Sequence, residues 1–406
     1  MKRGIGNGLI LTLAALFQAA SSFAVQIALM RLLLPEDFGR FAMVLAGCSL
    51  VQTVLSWRLN VLIIRLPVGD VESPTARRYQ AGLVWETVAA TAVTLVWLAF
   101  SELMSAYALL LVLALTLAQW TNQNLAFFER GMAYGRIAMA ETGSQLCGHV
   151  GALVLVLAGA GPIALYIREV VAIIARLIAY GAVGALLRPV FTMPRLTDLR
   201  QLWNEARGVW AEGLLEGFFS RLLIITAGSV VGLHGAGIFA QSQRLAMLPH
   251  QFMAPVLSRF AVNLFNRTES RQQRRRLLFR LSVATAAVLS LAVFAVLMWA
   301  EDIVPLIFGP NWAEAGLVLG AMTGLILFLS LFELLRSYCY AVGAVRPIIS
   351  ARLTQIAAFS ILTWLLTNSG PTDAAGLGWV LSAAYAISFA TVALSLICFE
   401  TAKHQA

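Results

Sequence analysis

Long runs of apolar residues without charge recur along the whole chain, and they constrain its fold more than any other feature of the sequence. A run of about 20 such residues is long enough to cross a bilayer as a helix. Within lipid, only helices and closed barrels satisfy their backbone hydrogen bonds, and barrel strands would show short alternating segments. The runs in this chain do not alternate. The sequence therefore predicts an all-α polytopic membrane protein.

The composition supports this class. Hydrophobic residues make up 60% of the chain and charged residues 12%, with a mean hydropathy of +0.81, whereas a soluble domain carries about 25% charged residues. The four cysteines stand alone in apolar runs, without the paired spacing of a metal or redox site. Phosphate-binding loops, zinc patterns and nucleophile motifs are absent from the sequence. We therefore expect no enzyme activity, no catalytic residue, no cofactor and no metal.

The apolar runs define about twelve spanning segments. Their predicted bounds are 8–30, 41–57, 81–100, 105–126, 137–159, 163–186, 209–231, 236–262, 280–299, 313–335, 346–367 and 375–399. The second and eighth are the least regular, because charged residues follow or interrupt them.

The basic residues give the orientation of these segments. Most of the 29 Lys and Arg residues fall on one side, while the stretches on the other side hold only Arg31 and Arg40. The positive-inside rule places the basic side and both termini in the cytoplasm. The net charge of +9 thus reflects topology rather than nucleic-acid binding. The most basic stretch, 266–280, is expected to be a cytoplasmic loop that attracts anionic membrane lipids.

Two stretches suggest an internal repeat. RLLLPEDFGRFA, at Arg31–Ala42, has a weaker copy in VVGLHGAGIFA, at Val230–Ala240. Aligning Gly39 with Gly237 places both in the external turn between the first two segments of a six-segment half. We expect these glycines to supply the permissive backbone of a tight turn.

A second correspondence joins Arg136 and Arg346, which begin the fifth segment of each half. Because six is an even number, both halves enter the membrane in the same direction, as parallel repeats, and transporters of this plan bind substrate between the halves. The predicted organisation is a six-helix lobe at 1–190, a cytoplasmic linker at 191–208 and a second six-helix lobe at 209–406.

Four stretches of the chain resemble a known family. They are RLLLPEDFGRFAM, GLHGAGIFAQSQRLAMLP (Gly232–Pro249), PLIFGPNWAEAGLVLGAM (Pro305–Met322) and CYAVGAVRP (Cys339–Pro347). In order and spacing they are similar to Wzx-type oligosaccharide flippases, in the polysaccharide transporter branch of the MOP superfamily. Many members of that branch have fourteen helices, whereas this chain has room for twelve, and the residue near Arg58 is often small in relatives.

The resemblance implies a secondary transporter of the bacterial inner membrane. It implies that a polyprenyl-diphosphate-linked oligosaccharide is flipped by alternating access for surface polysaccharide synthesis, without ATP hydrolysis. The implied partners are this lipid-linked glycan, membrane lipids and polysaccharide polymerase or assembly machinery, with the chain itself a monomer.

Arginines within the apolar segments are the candidate substrate contacts. A charge inside a bilayer is costly and therefore indicates function, and arginine offers a diphosphate several donors in a fixed geometry. Arg244 is the first candidate, because it falls on a basic position of the flippase relatives, and a structural ion pair is the alternative for it. The others are Arg221, Arg176, Arg168, whose charge the adjacent Glu169 can neutralise, and Arg58, for which snorkelling to the surface is an alternative.

Acidic residues in the segments are candidates for ion or proton coupling: Glu169, Glu86, Glu212 and Glu216. Glu212 and Glu216 lie four apart on one helix face, where like charges repel. A structural role near a helix N-terminus is the alternative for this pair. Glu333 and Arg336, three residues apart, are expected to form a structural ion pair.

Three other functions stay open at this point. The same fold could serve a cation-coupled exporter of drugs or other small molecules. We favour the flippase over it because the deepest charges are Arg168, Arg176, Arg221 and Arg244 against Glu169 alone, whereas a cavity for cationic drugs would be acidic or aromatic. A membrane enzyme would need a large external loop, and every external loop predicted here is short. The fourth hypothesis is a scaffold protein whose cavity has lost its transport activity.

Overall fold

The computed structural model of the protein describes residues 20–64, 73–130, 134–182, 190–193, 195–253, 261, 264, 265, 268 and 270–405. Every regular element in these residues is a helix, which confirms the predicted all-α class. The chain divides into two compact units, Met1–Ile225 and Thr226–Ala406. This division lies C-terminal to the predicted linker at 191–208, and the bounds of the two six-helix lobes stay a prediction.

The first unit is built from consecutive helices joined by short connections. Its described helices are α1 (Ala20–Leu32), α2 (Pro35–Leu55), the short α3 (Leu59–Ile64), α4 (Pro74–Ala99), α5 (Ala106–Arg130), α6 (Tyr134–Leu157), α7 (Ile163–Ala182) and the first part of α8 (Leu196–Ala246). Each of the first six predicted segments overlaps one of these helices in the described residues, and only residues at the ends of the segments, such as 56 and 57, are non-helical.

The break between α1 and α2 is shorter than the sequence suggested. Only Leu33 and Leu34 are non-helical, and α2 begins at Pro35. Proline suits this position because its missing N–H has no helical partner to lose, and the Asp37 carboxylate accepts the Leu34 N–H at 3.1 Å. The acidic stretch is therefore the first turn of α2, and the expectation that Gly39 forms a tight turn is wrong, because Gly39 is helical.

The corresponding break in α8 lies at Gly232. This residue has φ 70° and ψ −176°, within an otherwise helical run, and glycine adopts such a positive φ without the steric cost of a Cβ. Gly237 is helical, so its expected turn is also wrong. In the alignment of Gly39 with Gly237, however, Gly232 pairs with Leu34, and the two breaks therefore fall at the same position of the repeat.

Two predicted loops are partly helical. Within the expected linker, α8 begins at Leu196 because Leu199, Leu202 and Ala206 recur at helical spacing, and Leu202 and Ala206 are fully buried. Within the basic stretch 266–280, α9 begins at Arg271. In both places the charged residues occupy the outer part of a helix that continues into an apolar segment.

The second unit contains the rest of α8 and the later helices. These are α9 (Arg271–Phe308), α10 (Ala313–Ala321), α11 (Thr323–Val342), α12 (Arg346–Ser369) and α13 (Ala374–Gln405), with a 3-10 turn at Pro310–Trp312. The predicted segment 313–335 is interrupted at Met322, which separates α10 from α11. The other predicted segments of this half fall on helices in the described residues.

Several helices are long and apolar enough to cross a membrane. The described residues contain seven of them, at Pro35–Leu55, Pro74–Ala99, Gly213–Met253, Gln272–Phe308, Thr323–Val342, Arg346–Ser369 and Ala374–Ile397. The fold is thus that of a multi-pass α-helical membrane protein.

Candidate functional site

The connection between α2 and α3 brings several polar groups together inside the first unit. Residues 56–58 are non-helical, and the Glu86 carboxylate on α4 accepts the backbone N–H of Trp57 at 3.1 Å. Its other oxygen accepts the side-chain amide of Gln119, on α5, at 3.1 Å. Glu86 is buried, and among the described residues no arginine or lysine forms an ion pair with it. Neutral donors alone therefore hold this carboxylate.

Arg58, the next residue, has an unusual backbone conformation. It is the one described non-glycine residue with a positive φ, at 54°, a conformation that costs about 1–2 kcal/mol for a residue with a Cβ. Its side chain runs over Gly213 on α8, where a Cβ would collide with Cδ, Nε and Nη1 of the arginine. No ion pair to Arg58 is found within the described ranges.

Gly217 extends this contact along α8. A Cβ at Gly217 would lie 2.6 Å from Cγ2 of Thr53, on α2. Gly213 and Gly217 are four residues apart and share one helix face, which is the spacing that lets two membrane helices approach closely. The two glycines therefore let α8 approach the end of α2 where Arg58 lies.

A cavity of about 360 Å³ lies beside Glu86 in the first unit. Its volume is within the range of about 300–1,000 Å³ that is typical of small-molecule sites. Apart from the Glu86 carboxylate, its walls are mostly apolar. They are formed by Leu55, Trp57, Gly82, Trp85, Glu86, Ala89, Met193 and Leu199.

The start of α8 and the residues before it form one side of this cavity. The indole N–H of Trp85 donates to the carbonyl oxygen of Thr192 at 3.2 Å. Tyr79 donates its hydroxyl hydrogen to Glu205 at 2.7 Å, and Arg78 lies 3.4 Å from Asp198. The predicted linker is thus attached to the first unit by polar contacts as well as by its buried Leu202 and Ala206.

The candidate charges on α7 lie in a different environment. Arg168 pairs with the adjacent Glu169 at 2.6 Å, as the sequence suggested, and its guanidinium lies 5.6 Å from the ring centroid of Phe41. Arg176 pairs with Glu141, on α6, at 2.7 Å. Tyr180 also donates to Glu141, at 3.0 Å. Both arginines therefore have an acidic partner.

The remaining candidates are spread along α8. Nη1 of Arg221 donates to Ser220 at 2.7 Å and to the carbonyl of Gly217 at 3.2 Å. Arg244 is half-buried near the C-terminal end of α8. The side chains of Glu212 and Glu216 lie outside the described residues, so their predicted roles stay predictions.

The second unit contains its own group of polar side chains. Nδ1 of His250 lies 3.1 Å from the Ser330 hydroxyl, and Glu333 pairs with Arg336 at 2.8 Å, as predicted. Arg352 lies 4.6 Å from the ring centroid of Phe332 and donates to Gln355 at 3.0 Å. The sequence did not identify Arg352 as a candidate, because its position near the start of α12 resembles ordinary topology-setting charge.

The sequence also missed partners that lie far apart along the chain. Glu141 pairs with Arg176 on a different helix, and Gln119 donates to Glu86 on a different helix. Gly213 matters because the Arg58 side chain lies against it. The signal for Glu141 was present, because it is a charged residue inside an apolar run. Across the described ranges, no three or more His, Cys, Asp or Glu side chains cluster closely enough to hold a metal ion.

Comparison of the fold with solved structures defines its class. A lipid II flippase MurJ in an inward closed conformation aligns with a TM-score of 0.75 and 11% identity, over 96% of this chain and 87% of that one. An inward-facing multidrug resistance transporter of the MATE family, in the MOP superfamily, aligns with a TM-score of 0.69 and 12% identity, over 96% of this chain and 99% of that one. A MOP superfamily transporter from Pyrococcus furiosus aligns with a TM-score of 0.56 and 11% identity, over 97% of this chain and 96% of that one. The chain has the fold of MOP-superfamily membrane transporters.

The family follows from the sequence comparison. The sequence pattern of the family described as polysaccharide biosynthesis protein matches residues 28–316, which is most of the chain. The chain belongs to this family, and the resemblance to Wzx-type flippases is confirmed. No curated protein matches the chain.

Proposed function

We propose that the protein flips a polyprenyl-diphosphate-linked oligosaccharide from the inner to the outer leaflet of the bacterial inner membrane. Transport proceeds by alternating access and serves surface polysaccharide synthesis. Both termini are in the cytoplasm, and lobes at 1–190 and 209–406 are joined by a linker at 191–208. A polysaccharide polymerase or other assembly machinery receives the product. The observation that carries the proposal is the match of residues 28–316 to the polysaccharide biosynthesis family.

The arginines of the first unit differ in their availability to a diphosphate. Arg168 and Arg176 are neutralised by Glu169 and Glu141, so a substrate would have to compete with a carboxylate for them. Arg58 forms no ion pair with the described residues and is held by its backbone and by Gly213. We therefore place Arg58 first among the diphosphate contacts of this unit. Arg221 follows, and in the second unit Arg244 stays the first candidate.

The acidic candidates differ in the same way. Glu169 is paired with Arg168, whereas Glu86 accepts hydrogen bonds from the neutral groups of Trp57, Gln119 and Ser56 and borders a cavity. A carboxylate without a cationic partner can gain or lose a proton or a small cation without breaking an ion pair. Glu86 is therefore our first candidate for ion or proton coupling, with Glu212 and Glu216 next.

The proposal can be tested in a strain that lacks the gene. We expect polyprenyl-diphosphate-linked oligosaccharide to accumulate on the cytoplasmic side. Lipid extraction measures its amount, and labelling of the lipids exposed in each leaflet measures its side. The intact gene should reverse this accumulation, and Arg244→Ala should not. Arg136→Ala is the matched control, because Arg136 is an exposed arginine in the first turn of α6, and it should restore transport.

Two results would contradict this assignment. Absence of accumulation, with surface glycan unchanged, would favour the cation-coupled exporter of small molecules, which the same fold can serve. Full transport by Arg244→Ala, at wild-type protein level in the membrane, would remove Arg244 from the substrate site.

A further inference from the structure

The cavity beside Glu86 combines three features that together select a ligand. It has one buried carboxylate, two tryptophans and otherwise mostly apolar walls. The Glu86 carboxylate accepts hydrogen bonds from the Trp57 N–H, the Gln119 amide and the Ser56 hydroxyl, whereas a carboxylate can accept about four in all. The carboxylate therefore retains acceptor capacity for a ligand.

Charge and wall chemistry exclude most ligand classes. An anion would be repelled by Glu86. A divalent metal ion requires several oxygen ligands, and this cavity offers one carboxylate among apolar side chains. A purely apolar molecule would leave the carboxylate without water or a new donor, which is costly for a buried charge. A cation with an apolar body satisfies both the charge and the walls.

The two tryptophans strengthen this selection. An ammonium over an indole face gains about 0.5–2 kcal/mol. Trp85 is fixed by its hydrogen bond to Thr192, and Trp57 is fixed by its backbone bond to Glu86 and by packing at 5.6 Å against Trp203. Rings that are already held in place lose little conformational entropy when a ligand binds.

We propose that this cavity binds a monovalent organic ammonium, with the charged nitrogen at Glu86 and the apolar body against Trp57 and Trp85. The group could be presented by a free amine or by the ethanolamine headgroup of a membrane lipid, since both offer an ammonium on an apolar body. Binding at this site can be measured without transport, so a negative binding result would leave the proposed transport of a lipid-linked glycan standing, although Glu86 is also the first coupling candidate of that proposal.

The test uses the purified full-length chain in detergent and isothermal titration calorimetry. The probes are 2-phenylethylammonium, its neutral analogue 2-phenylethanol and the anion 3-phenylpropanoate. We expect the ammonium to bind about tenfold or more tightly than the alcohol, and the anion not to bind. Glu86→Gln should remove this preference. Glu102→Gln is the matched control, because Glu102 is an exposed carboxylate in the connection before α5, and it should leave the preference unchanged.

A second pair of variants avoids the buried carboxylate, so that a folding defect cannot explain the result. Met193 borders the cavity and is 80% exposed, and either charge should be tolerated there. Met193→Lys places a competing ammonium at the cavity and should weaken 2-phenylethylammonium binding severalfold. Met193→Glu should strengthen it.

The source of the ammonium is distinguished by repeating the titration in lipid nanodiscs. Weaker probe binding in discs of phosphatidylglycerol with phosphatidylethanolamine than in discs with the same fraction of phosphatidylglycerol and an uncharged glycolipid would identify the lipid headgroup, because the surface charge is the same in both. Equal binding in both would identify a soluble amine. Equal affinity for the ammonium and the alcohol in the wild-type chain, or the same effect from Met193→Lys and Met193→Glu, would overturn the proposal.

Discussion

Two regions of the first unit hold charged side chains among the helices, and they compensate those charges differently. Between α6 and α7, Arg176 and Glu141 pair directly, with side-chain exposures of 16% and 27%. At the break after α2, Glu86 and Arg58 each lack an oppositely charged partner among the described residues. Within the described part of the chain, the groups that contact them are backbone and neutral side chains.

This difference separates charges that stabilise the fold from charges that a ligand can use. An ion pair offsets the cost of removing two charges from water only while both partners remain. A charge held by neutral groups keeps most of its attraction for an incoming ion. We therefore propose a structural role for the α6–α7 pair and a functional role for Glu86 and Arg58 at the α2 break.

The largest expected effect on the free energy of unfolding comes from replacing a glutamate by glutamine in the paired region, and the same replacement at the α2 break serves as the comparison. Glu141→Gln leaves the Arg176 guanidinium without its counter-ion and should lower the free energy of unfolding by about 2–3 kcal/mol. Glu86→Gln keeps an acceptor for Trp57 and removes a charge that has no ionic partner, so the change should stay within about 1 kcal/mol. Thermal unfolding of the purified variants measures both. Equal losses would contradict the distinction between the two regions.

A smaller effect is expected from Gly213→Ala. The added methyl would collide with the Arg58 side chain, and overpacking of this kind costs about 1–3 kcal/mol. Gly208→Ala is the matched control on the same helix, because a Cβ there would meet nothing within 4 Å, and its higher helix propensity should make it neutral or slightly stabilising. A double variant with Arg58→Gly should recover the stability lost in Gly213→Ala, as followed by the same unfolding measurement.

The smallest effect on stability is expected from Arg58→Gly itself. Glycine relieves the left-handed backbone but adds freedom to the unfolded chain, so the free energy of unfolding should change by less than about 1 kcal/mol. Transport should be lost, as assayed by accumulation of lipid-linked oligosaccharide. A stable variant that still transports would show that Arg58 has no contact with substrate.

Much of the fold could be predicted from the sequence because apolar runs and charge positions are local signals. Each of the twelve predicted segments overlaps a helix in the described residues, although segment 313–335 is divided at Met322 and residues 56 and 57 are non-helical. Pairs within one helix were also predictable, as Glu333 with Arg336 shows. The helical start of α8 could have been found from the spacing of Leu199, Leu202 and Ala206, but Pro189 and Pro194 and the surrounding charges favoured a loop.

The candidate site was less predictable because its contacts join distant positions. Nothing in the local sequence links Trp57 to Glu86 or Arg58 to Gly213. The pairing of Arg176 with Glu141 depends on how α6 packs against α7, and spacing along α7 alone cannot reveal it. Sequence analysis therefore identified the deep charges but could not separate the neutralised ones from the available ones.

The aligned breaks at Leu34 and Gly232 bear on how a duplicated chain can diverge. One copy stops its helix by a proline that follows the break, and the other by a glycine that adopts a left-handed backbone. The two halves therefore share the position of an interruption, while the residues that cause it are unrelated. Ancient duplications in membrane proteins of this kind should be easier to recognise from the intervals between helix interruptions than from residue identities.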